Sequence, residues 1–166
     1  MEEIREMAFS YYGSCTDESK ELVHKFFKSM DIDGNGSIGL IEFKTYLTKN
    51  SLVFRPELFG ELDRDGNGCL DFNEVVTFYY MVNVRNLFCA CCGGYHKLGY
   101  YTCVKCFLDQ SNDRTYNICV PCYRTKQYNN SEHEYFLDNY DMLTSMRSEG
   151  KTKMGDHKSA EEPQLR

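Results

Sequence analysis

Apolar residues recur at helical spacing through the first half of the chain and at strand spacing through part of the second. Ile4, Met7 and Ala8 predict a short helix over residues 1–13, closed early by Gly13. Thr16 suits the cap of a second helix, whose first turn carries Asp17 and Glu18 where negative charge is favoured. Its apolar face reads Leu22, Val23, Phe26, Phe27 and Met30. Further helices are expected over about 40–49, 56–62 and 72–86, with Pro56 suited to a first turn. Residues 72–88 hold no Gly or Pro, so the last of these is expected to run almost into Cys89. Beyond residue 87 the period shortens. Tyr100, Thr102 and Val104 alternate, as do Tyr116, Ile118 and Val120, and both runs are interrupted by Cys-x-x-Cys, so they read as short strands or knuckles. Phe136, Leu137, Tyr140 and Leu143 share one face of a helix expected over 136–146, and the polar stretch 147–166 is expected to be disordered.

Composition divides the chain in two. The 166 residues carry a net charge of −6, all of it in residues 1–86, where 15 Asp/Glu face 9 Lys/Arg. Seven of the nine cysteines lie between Cys89 and Cys122. Two chemistries side by side predict two modules. The acidic start, Met1-Glu2-Glu3, predicts no secretory leader, and no apolar run reaches the ~20 residues that cross a bilayer. An intracellular location, cytoplasmic or nuclear, follows as the expectation, with cysteines serving metal or redox chemistry rather than disulfides. The acidic balance argues against a nucleic-acid binder that depends on phosphate contacts.

Two twelve-residue segments, 31–42 and 63–74, match position by position. Calcium needs six to eight oxygen ligands, and this spacing supplies them from one turn of chain. Positions 1, 3 and 5 offer Asp31, Asp33 and Asn35 in the first loop and Asp63, Asp65 and Asn67 in the second. Position 7 (Ser37, Cys69) gives a backbone carbonyl, and position 12 (Glu42, Glu74) a bidentate carboxylate. Gly36 and Gly68 stand where the chain must turn with positive φ. Position 9 is Gly39 in loop one but Asp71 in loop two, so loop two has the larger ligand charge and is expected to fill first. These loops, with their flanking helices and the apolar Ile38 and Leu70 at position 8, resemble the EF-hand family over roughly residues 17–85. The resemblance implies a short β-bridge between paired loops.

The cysteines form three Cys-x-x-Cys pairs, Cys89/Cys92, Cys103/Cys106 and Cys119/Cys122, and two such pairs close a tetrahedral zinc site. A module of about fifty residues needs such a staple. Three pairs and one histidine make seven ligands, one short of two sites. Tyr101 before Cys103, Tyr116-Asn117-Ile118 before Cys119 and the tail Ser131-Glu132-His133 resemble the ZZ-type zinc finger. The resemblance implies that Cys89, Cys92, Cys119 and Cys122 share one zinc, and that Cys103, Cys106 and His133 bind a second with one more ligand. The histidine expected there would fall near Asn130 or Ser131, neither a strong zinc ligand, which leaves His96, Cys91 or a carboxylate for the place. His96 taken alone is expected at the surface. Asn117 stands where that family commonly has an aspartate.

Other cysteine chemistries fit worse. A RING-type ligase needs a Cys-x-His step, and a zinc deaminase needs His-x-Glu before Pro-Cys-x-x-Cys. A thioredoxin-like pair needs a βαβ context. No nucleophile–base arrangement or phosphate-binding glycine loop is present, so no enzyme is expected. The expected architecture is mainly α: an N-terminal segment 1–16, an EF-hand pair 17–86, a small zinc-stapled β-rich module 87–137, a helix 138–146 and a tail 147–166. The expected function is a calcium sensor or adaptor whose zinc module binds a protein or peptide partner. The alternatives are a calcium buffer with a purely structural cysteine module, or a regulatory component of a ubiquitin ligase or redox system. Calcium is expected to re-aim the cysteine module as a rigid lever. Residues 136–146 would either lie in the EF-hand groove or, preferably, pack on the zinc module.

Overall fold

Thr16 does cap the second helix, its hydroxyl accepting from Ser19 N at 3.3 Å. A computed structural model describes residues 1–96, 99–109, 111, 115–129 and 131–155. Its first half contains α1 (Glu2–Ser14), α2 (Asp17–Met30), β1 (Ile38–Gly39), α3 (Leu40–Lys49), α4 (Pro56–Leu62), β2 (Cys69–Leu70) and α5 (Phe72–Tyr79). β1 and β2 pair antiparallel, Ile38 opposite Leu70, and so lock the two acidic loops back to back. Phe27, Met30, Phe43, Leu58, Leu62, Val75 and Phe78 from the four flanking helices fill the space beneath. Aromatic rings dominate that core: Phe43 and Phe78 lie 4.9 Å apart, Phe26 and Tyr79 5.1 Å. Leu22, assigned to the apolar face of α2, is exposed instead.

α1 is more than a leading segment. Ala8, Ile4, Tyr11 and Tyr12 cover Val23, Val76 and Tyr80, closing a second cluster on the outer face of α2 and α5. The buried Arg5 donates to the Glu61 carbonyl at 2.9 Å, and Glu2 pairs with Arg64 at 3.1 Å beside the second loop. Met7, expected on the buried face, is exposed.

The last helix of this half does not run into Cys89. α5 gives way to a π-helical turn over Tyr80–Val84, and Asn86 sits at φ +47. A left-handed residue ends a helix, and asparagine tolerates it better than most.

The second half is built on a three-stranded antiparallel sheet of order β4-β3-β5: β3 (Tyr100–Cys103), β4 (Asn117–Cys119) and β5 (Phe136–Asp138). Short helices α6 (Val104–Leu108) and α7 (Val120–Thr125) follow β3 and β4. The segment from Phe136 is therefore not one helix: Phe136–Asp138 pairs with β3, and α8 (Asn139–Gly155) starts only where Asp138 caps the chain through Tyr140 N and Asp141 N. Phe136 and Met142 are buried, while Tyr140 and Leu143, placed with Phe136 on one face, are exposed. The segment packs on the cysteine module, not in a groove of the first half. Helix extends to Gly155, through part of the stretch expected to be disordered; residues 156–166 lie outside those described.

Candidate functional site: two acidic loops and two cysteine centres

Each acidic loop is shaped by its own side chains. In loop one, Asp31 Oδ2 accepts from Gly36 N at 3.1 Å, Asp33 Oδ1 from Asn35 N at 3.0 Å, and Asn35 Oδ1 from Ser37 N at 2.8 Å. Glu42 reaches back across the loop, its Oε1 accepting from Ile32 N at 2.8 Å and its Oε2 from Gly39 N at 2.9 Å. Asp31, Asp33 and Glu42 each bring an oxygen within 4.8 Å of the others. Asp31 Oδ1 is buried without a hydrogen-bond partner among the described residues. A buried acceptor facing two other carboxylates is costly unless a cation satisfies it, so the donor set fits calcium.

Loop two repeats the pattern. Asp63 Oδ2 accepts from Gly68 N at 2.9 Å, Asp65 Oδ1 from Asn67 N at 3.0 Å, and Asn67 Oδ1 from Cys69 N at 2.8 Å. Glu74 Oε1 accepts from Arg64 N at 2.6 Å. Gly36 and Gly68 stand at φ +83 and +84, a turn that a Cβ would strain. The loops differ at position 9. Asp71 caps α5, accepting from Glu74 N at 2.9 Å while Glu74 Oε2 accepts from Asp71 N at 2.9 Å. Gly39 offers no side chain for such a reciprocal cap, and Glu74 is buried where Glu42 is only half-buried.

The sheet of the second half brings the cysteines together as two centres. Cys119 ends β4 and Cys103 ends β3, and tight turns after each return Cys122 and Cys106. Cys89, Cys92, Cys119 and Cys122 place their sulfurs within 4.8 Å of one another, with Cys92 and Cys119 3.8 Å apart. Four thiolates around a tetrahedral zinc, at about 2.3 Å from the metal, stand about 3.8 Å apart. Burial works against the Cys89 thiolate, yet the N–H groups of Cys92 (3.4 Å) and Cys119 (3.3 Å) donate to its sulfur and hold the thiol below its ordinary value. Burial and neighbouring thiols push Cys122 up. Several thiols crowded into one pocket cannot all ionise unless a cation offsets them, a charge that a zinc ion would supply.

The second centre gathers Cys103, Cys106 and His133, with Cys106 Sγ 3.4 Å from His133 Nδ1 and the Tyr116 ring stacked on the imidazole at 3.7 Å. None of the substitutes considered for a fourth ligand joins it among the described residues. Cys91 Sγ donates to Gln127 O at 3.0 Å and packs with the first centre, and Asp109 Oδ1 accepts from Ser111 Oγ at 2.6 Å. Asn130 lies outside the described residues. His96 is not at the surface: it is 4% exposed, stacked on Tyr100, and neither ring nitrogen has a partner among the described residues. Burial pushes its pKa down to about 4, partly offset by the Phe88 backbone.

Comparison with known families resolves the acidic half. The family model described as an EF-hand domain pair matches residues 20–80. Residues 20–80 are similar to an EF-hand pair. A "Probable calcium-binding protein CML34" of Arabidopsis thaliana is 32% identical over 74 residues, 45% of this chain and 51% of that protein. A "Calcium-dependent protein kinase 9" of Oryza sativa subsp. japonica is 42% identical over 64 residues, 36% of this chain and 11% of the kinase. The chain thus spans about half the length of one curated relative and about a tenth of the other. No solved structure matches it.

The EF-hand pair and the first cysteine turn are in contact. A Cβ built on Gly93 would meet Val53 Cγ2, in the linker between α3 and α4, at 2.2 Å. Arg55 donates to the Cys92 carbonyl at 3.3 Å, and the Tyr95 hydroxyl donates to Glu61 at the end of α4. Asn86 donates to Thr115 O at 2.8 Å. Apart from Cys92, none of these residues was singled out from the sequence; Gly93 and Arg55 carried no periodic or motif signal.

Proposed function

We propose that this protein is a calcium-responsive adaptor, an EF-hand pair whose state is passed to a ZZ-like zinc module that binds a protein partner. Calcium is held in loop one by Asp31, Asp33, Asn35, the Ser37 carbonyl and Glu42. In loop two it is held by Asp63, Asp65, Asn67, the Cys69 carbonyl, Asp71 and Glu74. Zinc is held by Cys89, Cys92, Cys119 and Cys122, and a second ion by Cys103, Cys106 and His133. The protein acts inside the cell by binding, not by catalysis; a centre of four thiolates is closed to substrate. No helix among the described residues is long and apolar enough to cross a membrane.

The observation that carries this reading is the contact of the cysteine turn with both helices that flank the second loop. By chain it continues α5 through the π-helical turn, and by packing it rests on Glu61 of α4 and on Val53 and Arg55 of the linker that leads into α4. In sensor EF-hand pairs calcium changes the angle between such helices. Here that change must strain or break the Gly93–Val53 and Tyr95–Glu61 contacts. The module responds through those contacts, not as an extension of a straight helix. Residual dipolar couplings with and without calcium test this: a change in the orientation of β3 and β4 relative to α2 is expected. Unchanged orientation, with no calcium-dependent dye binding, would instead identify a calcium buffer.

A further inference from the structure

α1 is anchored on both helices that flank loop two. On the α5 side the wholly buried Ala8 packs with Val76 and Tyr80, and the Tyr11 and Tyr80 rings lie 5.6 Å apart. On the α4 side the buried Arg5 donates at 2.9 Å to the carbonyl of Glu61, next to last in that helix. Glu2 joins Arg5 to Arg64, the second residue of loop two. Arg5 and Arg64 also share one cavity with Asp65, Asp71 and Glu74. A buried guanidinium of α1 therefore lies beside the carboxylates of loop two.

We propose that α1 is a strap that calcium in loop two releases, uncovering Val23, Val76 and Tyr80. The inference rests on the reading of loop two as a calcium site. Charge and geometry give the same sign. The carboxylates of loop two attract the Arg5 guanidinium, and a divalent ion among them cancels much of that attraction. Calcium in a sensor pair also changes the angle between the helices that flank a loop. A segment fastened to α4 through Arg5 and to α5 through Ala8 cannot follow both, so one anchorage breaks. Coupling is reciprocal: docked α1 weakens calcium binding at loop two.

The test uses the full chain. It contains no tryptophan, so Tyr11→Trp places a single reporter on the strap. Calcium should shift its emission to the red. Added Glu42→Gln should leave the shift, and added Glu74→Gln should abolish it at calcium levels that saturate the parent. By calorimetry, Arg5→Gln in the Glu42→Gln background should bind calcium about fivefold more tightly. Emission unmoved by bound calcium, a shift that survives Glu74→Gln, or no gain in affinity overturns the strap and leaves the calcium reading standing. No calcium binding by the native chain overturns that reading and the strap with it. Should either Tyr11→Trp or Arg5→Gln not fold, amide exchange in the native chain decides. Calcium should lower protection along α1 about tenfold, while raising it in α2 and α5. Unchanged or increased protection of α1 overturns the proposal.

Discussion

The side-chain amide of Asn117 donates to the backbone carbonyl of Asn86 at 3.2 Å, and so ties edge strand β4 of the cysteine-module sheet to the end of the EF-hand pair. The Asn117 oxygen faces the other way, accepting from Thr102 at 3.0 Å and Thr115 at 3.1 Å. Asn117 is buried, and its amide both donates to a carbonyl and accepts from two hydroxyls there, which an ionised carboxylate cannot do. The aspartate that the ZZ family commonly carries would set a carboxylate against the Asn86 carbonyl. Asn117→Asp should therefore cost about 2–3 kcal/mol at neutral pH, and less when the carboxyl is protonated. Denaturant unfolding at pH 7 and below pH 4 checks both parts.

Gly93 pairs a positive φ of +67 with a position packed directly against Val53. Gly93→Ala should lose about 1–2 kcal/mol from the backbone alone and a further ~1–3 kcal/mol from the clash with Val53. Val53→Gly removes both side-chain carbons, Cγ2 at 2.2 Å and Cβ at 2.5 Å, that a new Cβ would meet. The double variant should recover most of the clash component but not the backbone one. A thermodynamic cycle of the four proteins measures the difference; equal costs in both backgrounds would show that Val53 does not contact Gly93.

The calcium loops should differ in affinity. Asp63, Asp65 and Glu74 gather in loop two, and Asp71 at position 9 caps α5, so that Glu74 is buried and braced where Glu42 has only Gly39 beside it. Glu42→Gln should leave the tighter of the two residual sites, with an affinity roughly ten times that left by Glu74→Gln. Calorimetric titration of both variants checks the order.

His96 should make the fold acid-sensitive. Burial pushes its pKa down to about 4, from an ordinary value of 6.5. A depressed imidazole keeps the unfolded chain the better proton acceptor, so its contribution is intact above pH 6.5 and is lost as pH falls towards 4. The full loss is about 3 kcal/mol. His96→Phe should flatten stability over this window relative to the native chain. Metal release by acid affects both proteins, so the difference between them isolates His96.

Much of this molecule was legible in its sequence because local chemistry sufficed. A calcium loop draws its ligands from twelve consecutive residues, so Asp31 to Glu42 and Asp63 to Glu74 could be read directly. The helices α2 to α5 followed from 3.6-residue periodicity. Cys-x-x-Cys spacing marked the thiols, and resemblance to the ZZ type grouped them as the sheet does, first pair with third and second pair with His133.

Only tertiary structure decided the rest. Phe136–Asp138 has apolar residues that suit a helix face, yet pairing with β3 made it a strand, since a sheet edge offered hydrogen bonds no local pattern records. His96 carries no sequence mark of burial; the fold placed Tyr100 against it. The contact of Gly93 with Val53 joins residues forty positions apart, and α1 found its place on α5 across nearly seventy. Ligand sets within one turn are written in the chain. Which surfaces meet, and which atoms are left without partners, depends on packing among distant segments, and that exists only once the chain is folded.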